Sequence, residues 1–250
     1  MATTATPVPN QAEPLSMVER LTNVFFAPSK TFNDLNRDNS WWAAWLLISV
    51  FAFLFIFSVQ QKVGFEQITR NEIAASPKAQ EGMEKLTPEA REQRIQVSIG
   101  VTKWISFAFP LTILISGAII AGVLMATFNF GLGTEMSFNT VLAVLFYAWV
   151  PGILKSILAA ISLFAGADPE GFNIRNPAAT NIGFFFSRAD HPVVYSMFSW
   201  VDVFAIWYII LLGIGFSCVT KVKKSTCTSV IAGWYIVCAV IGTGWVALFS

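Results

Sequence analysis

Charge is scarce in this sequence. Asp, Glu, Lys and Arg make up only 12% of the residues, whereas a soluble domain carries roughly 25%. So few charges cannot cover the surface of a soluble globule of this size, and they exclude a strongly basic nucleic-acid-binding protein. The hydrophobic share of 55% excludes an intrinsically disordered chain. The composition therefore argues against an ordinary soluble enzyme.

Histidine and cysteine are also scarce, which limits the chemistry available to the chain. The single histidine, His191, stands before Pro192 in a predicted loop, so paired-histidine metal motifs are excluded. The three cysteines, Cys218, Cys227 and Cys238, lie in or beside apolar runs and predict free thiols rather than a disulfide scaffold. We therefore expect a non-enzymatic protein with no catalytic residues, no metal and no cofactor.

The sequence is rich in long apolar runs. A helix that crosses a bilayer needs about 20 predominantly apolar residues, and five runs of about that length occur. Lipid offers the backbone no hydrogen-bond partners, so each run must be helical. The sequence therefore predicts an all-α, multi-pass integral membrane protein. Its five predicted spans cover residues 41–59, 104–128, 139–165, 197–220 and 227–249.

The segment before the first span divides into two parts. Residues 1–14 are small, polar and proline-rich, and predict a disordered tail. Residues 15–38 begin with Ser16 and Glu19 at capping-box spacing, and apolar residues follow along one side. This pattern predicts a short amphipathic helix, which either lies at the membrane interface or packs against the spans. The five-span domain then occupies residues 39–250.

Basic residues indicate the orientation, since they mark the cytoplasmic side of short loops. One group precedes the first span and another fills the short fourth loop, and five spans place both segments on the same side. The two groups are Arg20, Lys30 and Arg37, and Lys221, Lys223 and Lys224. The basic residues of the first loop argue against this orientation, but that loop is long and nearly neutral. We therefore expect a cytoplasmic N-terminus and an external C-terminus.

Two charges fall within the predicted spans. Asp202 lies about five residues into the fourth span and Lys155 about ten residues from the end of the third, so at about 1.5 Å per residue their depths differ by about 7 Å. A flexible lysine can bridge that difference. The spacing predicts an Asp202–Lys155 pair. Separate snorkelling to the interface and a proton or ion relay are the alternatives.

Small residues recur at four-residue spacing in the second span, as in Gly117/Ala121 and Gly122/Ala126. Such a face lets helices approach closely. The spacing predicts close packing within the chain or, alternatively, a homo-oligomer face.

Several short motifs are similar, in the same order, to those of a known family. They are FAPSKTF with Pro28 before the first span, YAWVP with Tyr147 and Pro151 in the third, Asn176-Pro177 in the third loop, and DVFAIW with Trp207 at the start of the fourth span. On these motifs the chain resembles the Yip-domain family of Ypt/Rab-interacting membrane proteins, and its bacterial branch in particular. The resemblance extends from about Leu21 to Gly244.

The resemblance implies a five-span domain with a cytoplasmic N-terminus, in a bacterial inner (cytoplasmic) membrane. Eukaryotic relatives are associated with Rab GTPases and vesicle traffic. Their Asp-Leu-Tyr-Gly-Pro element is absent here, and Ala148 replaces their usual Ser, which argues against GTPase binding.

The composition and the resemblance together predict a scaffold or adaptor in membrane organisation or trafficking, and they imply no particular molecular activity. Its expected partners are the lipid bilayer and either a cytoplasmic protein or a second copy of the chain, without nucleic acid. A small transporter or channel component that uses Asp202 and Lys155 is the alternative.

Overall fold

The computed structural model describes residues 13–249, which fold almost entirely into helices. Residues 1–12 of the predicted tail lie outside this range. The helices are α1 (Met17–Phe26), α2 (Pro28–Asp34), α3 (Trp42–Lys62), α4 (Phe65–Ala74), α5 (Pro77–Glu84), α6 (Pro88–Phe107), α7 (Phe109–Leu132), α8 (Phe138–Trp149), α9 (Ile153–Phe164), α10 (Pro192–Ser199), α11 (Val203–Thr220) and α12 (Lys224–Phe249). The described residues contain no β-strand, only a single bridge between Asn181 and Asp202.

Five helical stretches are long and apolar enough to cross a bilayer. They are α3, α7, α8 continued by α9, α11 and α12. The prediction of an all-α fold with five membrane-spanning helices is therefore confirmed.

The second span begins at Phe109 rather than at residue 104. Pro110 stands in the first turn of α7, where a missing N–H costs no hydrogen bond. α6 ends just before it, at Phe107. α6 starts at the Thr87 cap, whose hydroxyl accepts the Ala90 N–H at 3.3 Å. Residues 104–107, the first part of the predicted span, therefore belong to a separate helix, α6.

Pro151 divides the third span. α8 ends at Trp149, a 3-10 turn covers Val150–Gly152, and α9 follows. Val150 and Pro151 are both buried. The break is enclosed by protein, which is where an interrupted helix is tolerated at membrane depth.

α8 forms the centre of the bundle. Every residue from Val141 to Ala148 is buried, so neighbours enclose this helix on all sides. α3, α7 and α11 pack around it. α1 and α2 also pack against the spans, since Phe32 of α2 is fully buried in the same core and the Phe25 ring of α1 lies 6.0 Å from the Trp207 ring of α11.

The two ends of the bundle differ in construction. One end, the N-terminal face, holds α1, α2 and the short connections before α8 and α12. The other end, the loop face, holds α4–α6 and residues 165–202. There the first and third loops are joined, because Glu72 of α4 accepts hydrogen bonds from Arg175 at 2.7 Å and from Arg188 at 3.0 Å.

The small residues of the second span serve internal packing at Gly117. A Cβ atom added there would stand 3.1 Å from Phe146 Cζ, and Ala121 one turn away is fully buried. This part of the stripe lets α7 approach α8 closely.

Gly215 lets α11 approach both α2 and α8. A Cβ atom at this position would stand 2.6 Å from Val144 Cγ1 and 3.1 Å from the Phe32 ring. We expect Gly215→Ala to lower the free energy of unfolding by about 1–3 kcal/mol through overpacking, as measured by SDS titration of the purified protein. Gly122→Ala is the matched control, because nothing lies within 4 Å of the added Cβ. Equal effects of the two substitutions would contradict this packing.

Candidate functional site: two buried polar clusters

Lys155 and Asp202, the two charges predicted within the spans, are brought together by α9 and the start of α11. Lys155 Nζ donates to Asp202 Oδ2 at 2.7 Å. Asp202 lies immediately before α11 rather than inside the span, because its Oδ1 accepts the Phe204 N–H at 2.8 Å and caps the helix. The Asp202 side chain is only 8% exposed. The pair therefore links the third and fourth spans at the loop-face end of the bundle.

The third loop supplies the other groups around this carboxylate. Thr180 Oγ1 donates to Asp202 Oδ2 at 2.8 Å, and Asn181 Nδ2 approaches the same oxygen at 3.4 Å. The backbone joins as well, since the Val203 N–H donates to the Thr180 carbonyl at 3.1 Å. The loop is thereby fixed to the start of the fourth span.

Asn176 and Asn181 form a second layer of hydrogen bonds next to the Asp202 carboxylate. Each side-chain amide donates to the oxygen of the other, at 3.0 and 2.6 Å, and both residues are buried. Asn181 Oδ1 also accepts the Phe184 N–H at 3.0 Å. Asn176, the first residue of the family-like Asn176-Pro177 pair, therefore belongs to the buried polar network. We call Lys155, Asn176, Thr180, Asn181 and Asp202 the Asp202 cluster.

The hydrogen-bonding capacity of the Asp202 carboxylate determines what this cluster can do chemically. An ionised carboxylate has about four lone-pair sites, and Lys155, Thr180, Asn181 and the Phe204 N–H supply four donors. A carboxylate that is charge-paired and fully hydrogen-bonded has little capacity to take up a proton or an ion. The geometry therefore favours a fixed junction over a relay.

The side chains that could ligate a metal ion are not clustered in the described residues. Within residues 13–249, no group of three or more His, Cys, Asp and Glu side chains is arranged to hold a metal ion. His191 stands at the N-cap position of α10, and the three cysteines are free thiols.

A second buried cluster, centred on Arg20, was not predicted from the sequence. Arg20 Nε donates to Asp34 Oδ2 at 2.7 Å, and a terminal nitrogen donates to the Asp38 carbonyl at 3.0 Å. The same nitrogen lies 3.0 Å from the Asp38 carboxylate and 3.4 Å from the Ser40 hydroxyl. Arg20 is only 2% exposed. We call these four residues the Arg20 cluster, which ties α1 to α2 and to the start of α3.

Hydrogen bonds and charge pairing together outweigh the effect of burial in this cluster. Burial lowers the pKa of Arg20, but the hydrogen bond and the charge of Asp34 outweigh it and hold that pKa above its usual value. Burial raises the pKa of Asp38, but hydrogen bonds from Ser40 and the charge of Arg20 hold it below its usual value. Arg20 and Asp38 are therefore both ionised at neutral pH.

The signal for the Arg20 cluster was present in α1. Arg20 stands three residues after Met17 and four before Val24, on the apolar side of the helix. A cation on an apolar side needs a buried partner. Its partners were not predictable, because the chain reverses between α1 and α2 before reaching Asp34.

Tyr147 of α8 is fully buried beside the Arg20 cluster. Its hydroxyl lies near Arg20 but completes no hydrogen bond within the described residues. Of the other family-like positions, Pro28 is the first residue of α2, Pro151 forms the 3-10 turn, and Trp207 packs on Phe25.

We expect Tyr147→Phe to leave the free energy of unfolding unchanged or to raise it by about 1 kcal/mol, because the substitution removes a buried hydroxyl that lacks a partner. Thermal denaturation in detergent measures the difference. A loss of more than about 1 kcal/mol would show that the hydroxyl makes a stabilising hydrogen bond.

The comparisons with known proteins agree with this architecture. A family model described as the Yip1 domain matches residues 22–246, nearly the whole chain. No curated protein and no solved structure matches this chain.

Proposed function

Because this chain belongs to the Yip1-domain family, we propose that it is a non-enzymatic scaffold or adaptor that recruits a cytoplasmic protein to a bacterial inner membrane. Family membership and the five apolar spans make it a multi-pass integral membrane protein. The resemblance of its motifs to the bacterial branch supports the choice of membrane.

The observation that carries this proposal is a basic surface on the N-terminal face. It joins α2 to the turn between α11 and α12, because Asn36 Nδ2 donates to the Cys218 carbonyl at 3.2 Å. The two segments are far apart in the sequence, but in the fold they are adjacent. The exposed cations of this surface are Lys30, Arg37, Lys221, Lys223 and Lys224, and we call them the basic face.

The α2 part of the basic face is anchored in the bundle. Phe32 and Leu35 anchor α2 in the core, and Asp34 is held by Arg20. A preformed surface loses little conformational freedom on binding. Clustered positive charge accelerates association with a partner of complementary charge. We therefore propose a cytoplasmic partner with an acidic surface.

The proposed orientation places the N-terminal face in the cytoplasm. The basic residues before the first span and in the fourth loop support it, because the fourth loop is short and such loops follow the positive-inside rule. The first loop, at the opposite face, is long and nearly neutral, and some of its charges are paired with one another, as in the Arg70–Glu66 and Lys85–Glu81 pairs, so its basic residues carry less weight.

Site-specific photocrosslinking tests the adaptor function. A benzoylphenylalanine placed at Asn33, an exposed position of α2, should form adducts with a discrete cytoplasmic protein in native membranes. The same probe at Gln80, exposed on α5 at the loop face, should not form these adducts. Truncation of α1 and α2 is unsuitable as a test, since it would remove Phe32 and Leu35 from the core.

Charge reversal provides the matched control. Lys221, Lys223 and Lys224 changed together to Glu should abolish the adducts, because the basic face would repel an acidic partner. Lys78→Glu and Lys85→Glu at the loop face should leave them intact. Adducts that persist after reversal at the N-terminal face, or labelling of lipid alone, would refute the adaptor function.

A further inference from the structure

An apolar groove runs between α3 and α9 on the outside of the bundle. Its volume is about 440 Å³. Its walls include Phe51, Leu54 and Phe55 of α3, and Ile157, Ala160 and Phe164 of α9. Both helices belong to membrane spans. We call this feature the α3–α9 groove.

A lysine stands at one end of the groove. Lys62 lies four residues after the groove residue Ser58, on the same stripe of α3. Its Nζ is 4.6 Å from the centroid of the Phe164 ring. Among residues 13–249, no carboxylate forms an ion pair with Lys62, because Glu66 one turn away is engaged by Arg70 at 2.8 Å. The groove therefore ends at a cation without a counter-charge.

The dimensions of the groove match one leaflet of a bilayer. Lys62 is the last residue of its apolar span, the position at which we expect the polar headgroups to begin. At about 1.5 Å per residue, Phe51 lies about 16 Å deeper along α3. One leaflet contributes about 15 Å of hydrocarbon, half of the bilayer core. The apolar walls are thus at the depth of one lipid chain, and the cation is at the depth of its phosphate.

We propose that the α3–α9 groove binds an anionic phospholipid of the loop-face leaflet, with one acyl chain along the groove and the phosphate on Lys62 Nζ. The apolar walls exclude a water-soluble phosphate compound as the occupant, since its polar body would be buried without hydrogen bonds. The unpaired lysine favours a lipid with net negative charge over a zwitterionic one.

A neighbouring groove provides an internal comparison. It lies on the other side of Leu54, has a volume of about 430 Å³, and is lined by Val50, Phe53 and Phe107 among others. Gln60 lines it, so its polar end is uncharged. A lipid chain in this second groove would have no cation to select its headgroup.

Photolabelling of the full-length protein in phosphatidylcholine nanodiscs tests the proposal. The probe is a minor fraction of phosphatidylglycerol with a photoactivatable acyl chain, and peptide mass spectrometry locates the adducts. We expect them to concentrate on the walls of the α3–α9 groove. Lys62→Gln should lower this labelling about fivefold, the factor that corresponds to about 1 kcal/mol per basic residue near a membrane surface. Lys62→Arg should retain it.

Matched variants separate the groove from general lipid contact. Ala160→Trp, which fills the groove, should remove the adducts, whereas Val50→Trp in the second groove should not. Lys78→Gln should also leave them unchanged, although Lys78 Nζ lies 5.3 Å from the Phe249 ring centroid in a similar contact. Equal labelling by phosphatidylcholine and phosphatidylglycerol probes, or unchanged labelling of Lys62→Gln, would overturn the proposal.

Discussion

Arg20→Met is expected to lower the free energy of unfolding by about 3–5 kcal/mol, the cost of breaking a buried ion pair on one side. The substitution removes the closer charge partner of the Asp34 carboxylate, whose side chain is 6% exposed, and leaves only Arg37 at 4.0 Å. It also removes the donors that bind Asp38 and Ser40. SDS titration followed by tryptophan fluorescence measures the loss.

Two controls test whether the lost stability comes from the buried ion pair. Arg70→Met breaks an exposed pair with Glu66 and should cost only about 0.3–0.5 kcal/mol. Arg20→Met combined with Asp34→Leu should recover much of the stability, because no buried charge is left unpaired. Trypsin should also cleave the single variant faster at Lys30 and Arg37, as α2 loosens. A cost for Arg20→Met no greater than that of Arg70→Met would contradict the structural role of the cluster.

Asp202→Asn is expected to lower the free energy of unfolding by about 1.5–3 kcal/mol, the range for hydrogen bonds to charged groups. The substitution leaves Lys155 without its counter-charge and weakens the hydrogen bond from Thr180. Lys155→Met should be destabilising as well, because Asp202 is the more deeply buried partner. Thermal denaturation in detergent compares the single variants with the wild type.

The double variant and a flux measurement decide between a junction and a transport site. Asp202→Asn with Lys155→Met should be less destabilised than the sum of the single variants by about 1–2 kcal/mol, since the residues are in direct contact. Proteoliposomes should show no ion flux that depends on Asp202. Additive losses would refute the coupling, and a flux abolished by Asp202→Asn would favour the transporter alternative.

The spans were predictable because their signal is local. An apolar run of about 20 residues leaves no other structure in lipid, so all five spans were found. Their ends were less accurate, because the Asp202 cap fixes the start of α11 and Pro110, which lacks an N–H, stands in the first turn of α7, and hydropathy registers neither effect. The proximity of Lys155 and Asp202 was accessible from residue counting alone, since depth along two adjacent antiparallel helices follows from the helical rise.

The remaining polar contacts depend on how non-helical segments fold back. Thr180 and Asn181 reach Asp202 only because of the path that the third loop takes. Hydropathy does not predict the path of a loop. Arg20 was counted among the topology-determining charges, because the sequence does not show that α2 returns Asp34 to it. The same reversal brings α2 against α11, so the basic face also escaped prediction as one surface.

The adaptor function requires the basic face to be cytoplasmic, and cysteine accessibility in spheroplasts measures this directly. In a background with all three native cysteines changed to Ser, Asn33→Cys reports on the N-terminal face and Gln80→Cys on the loop face. A membrane-impermeant maleimide should label Gln80→Cys in intact spheroplasts, and Asn33→Cys only after the membrane is permeabilised. Labelling of Asn33→Cys in intact spheroplasts would place the basic face outside the cell and contradict the adaptor function.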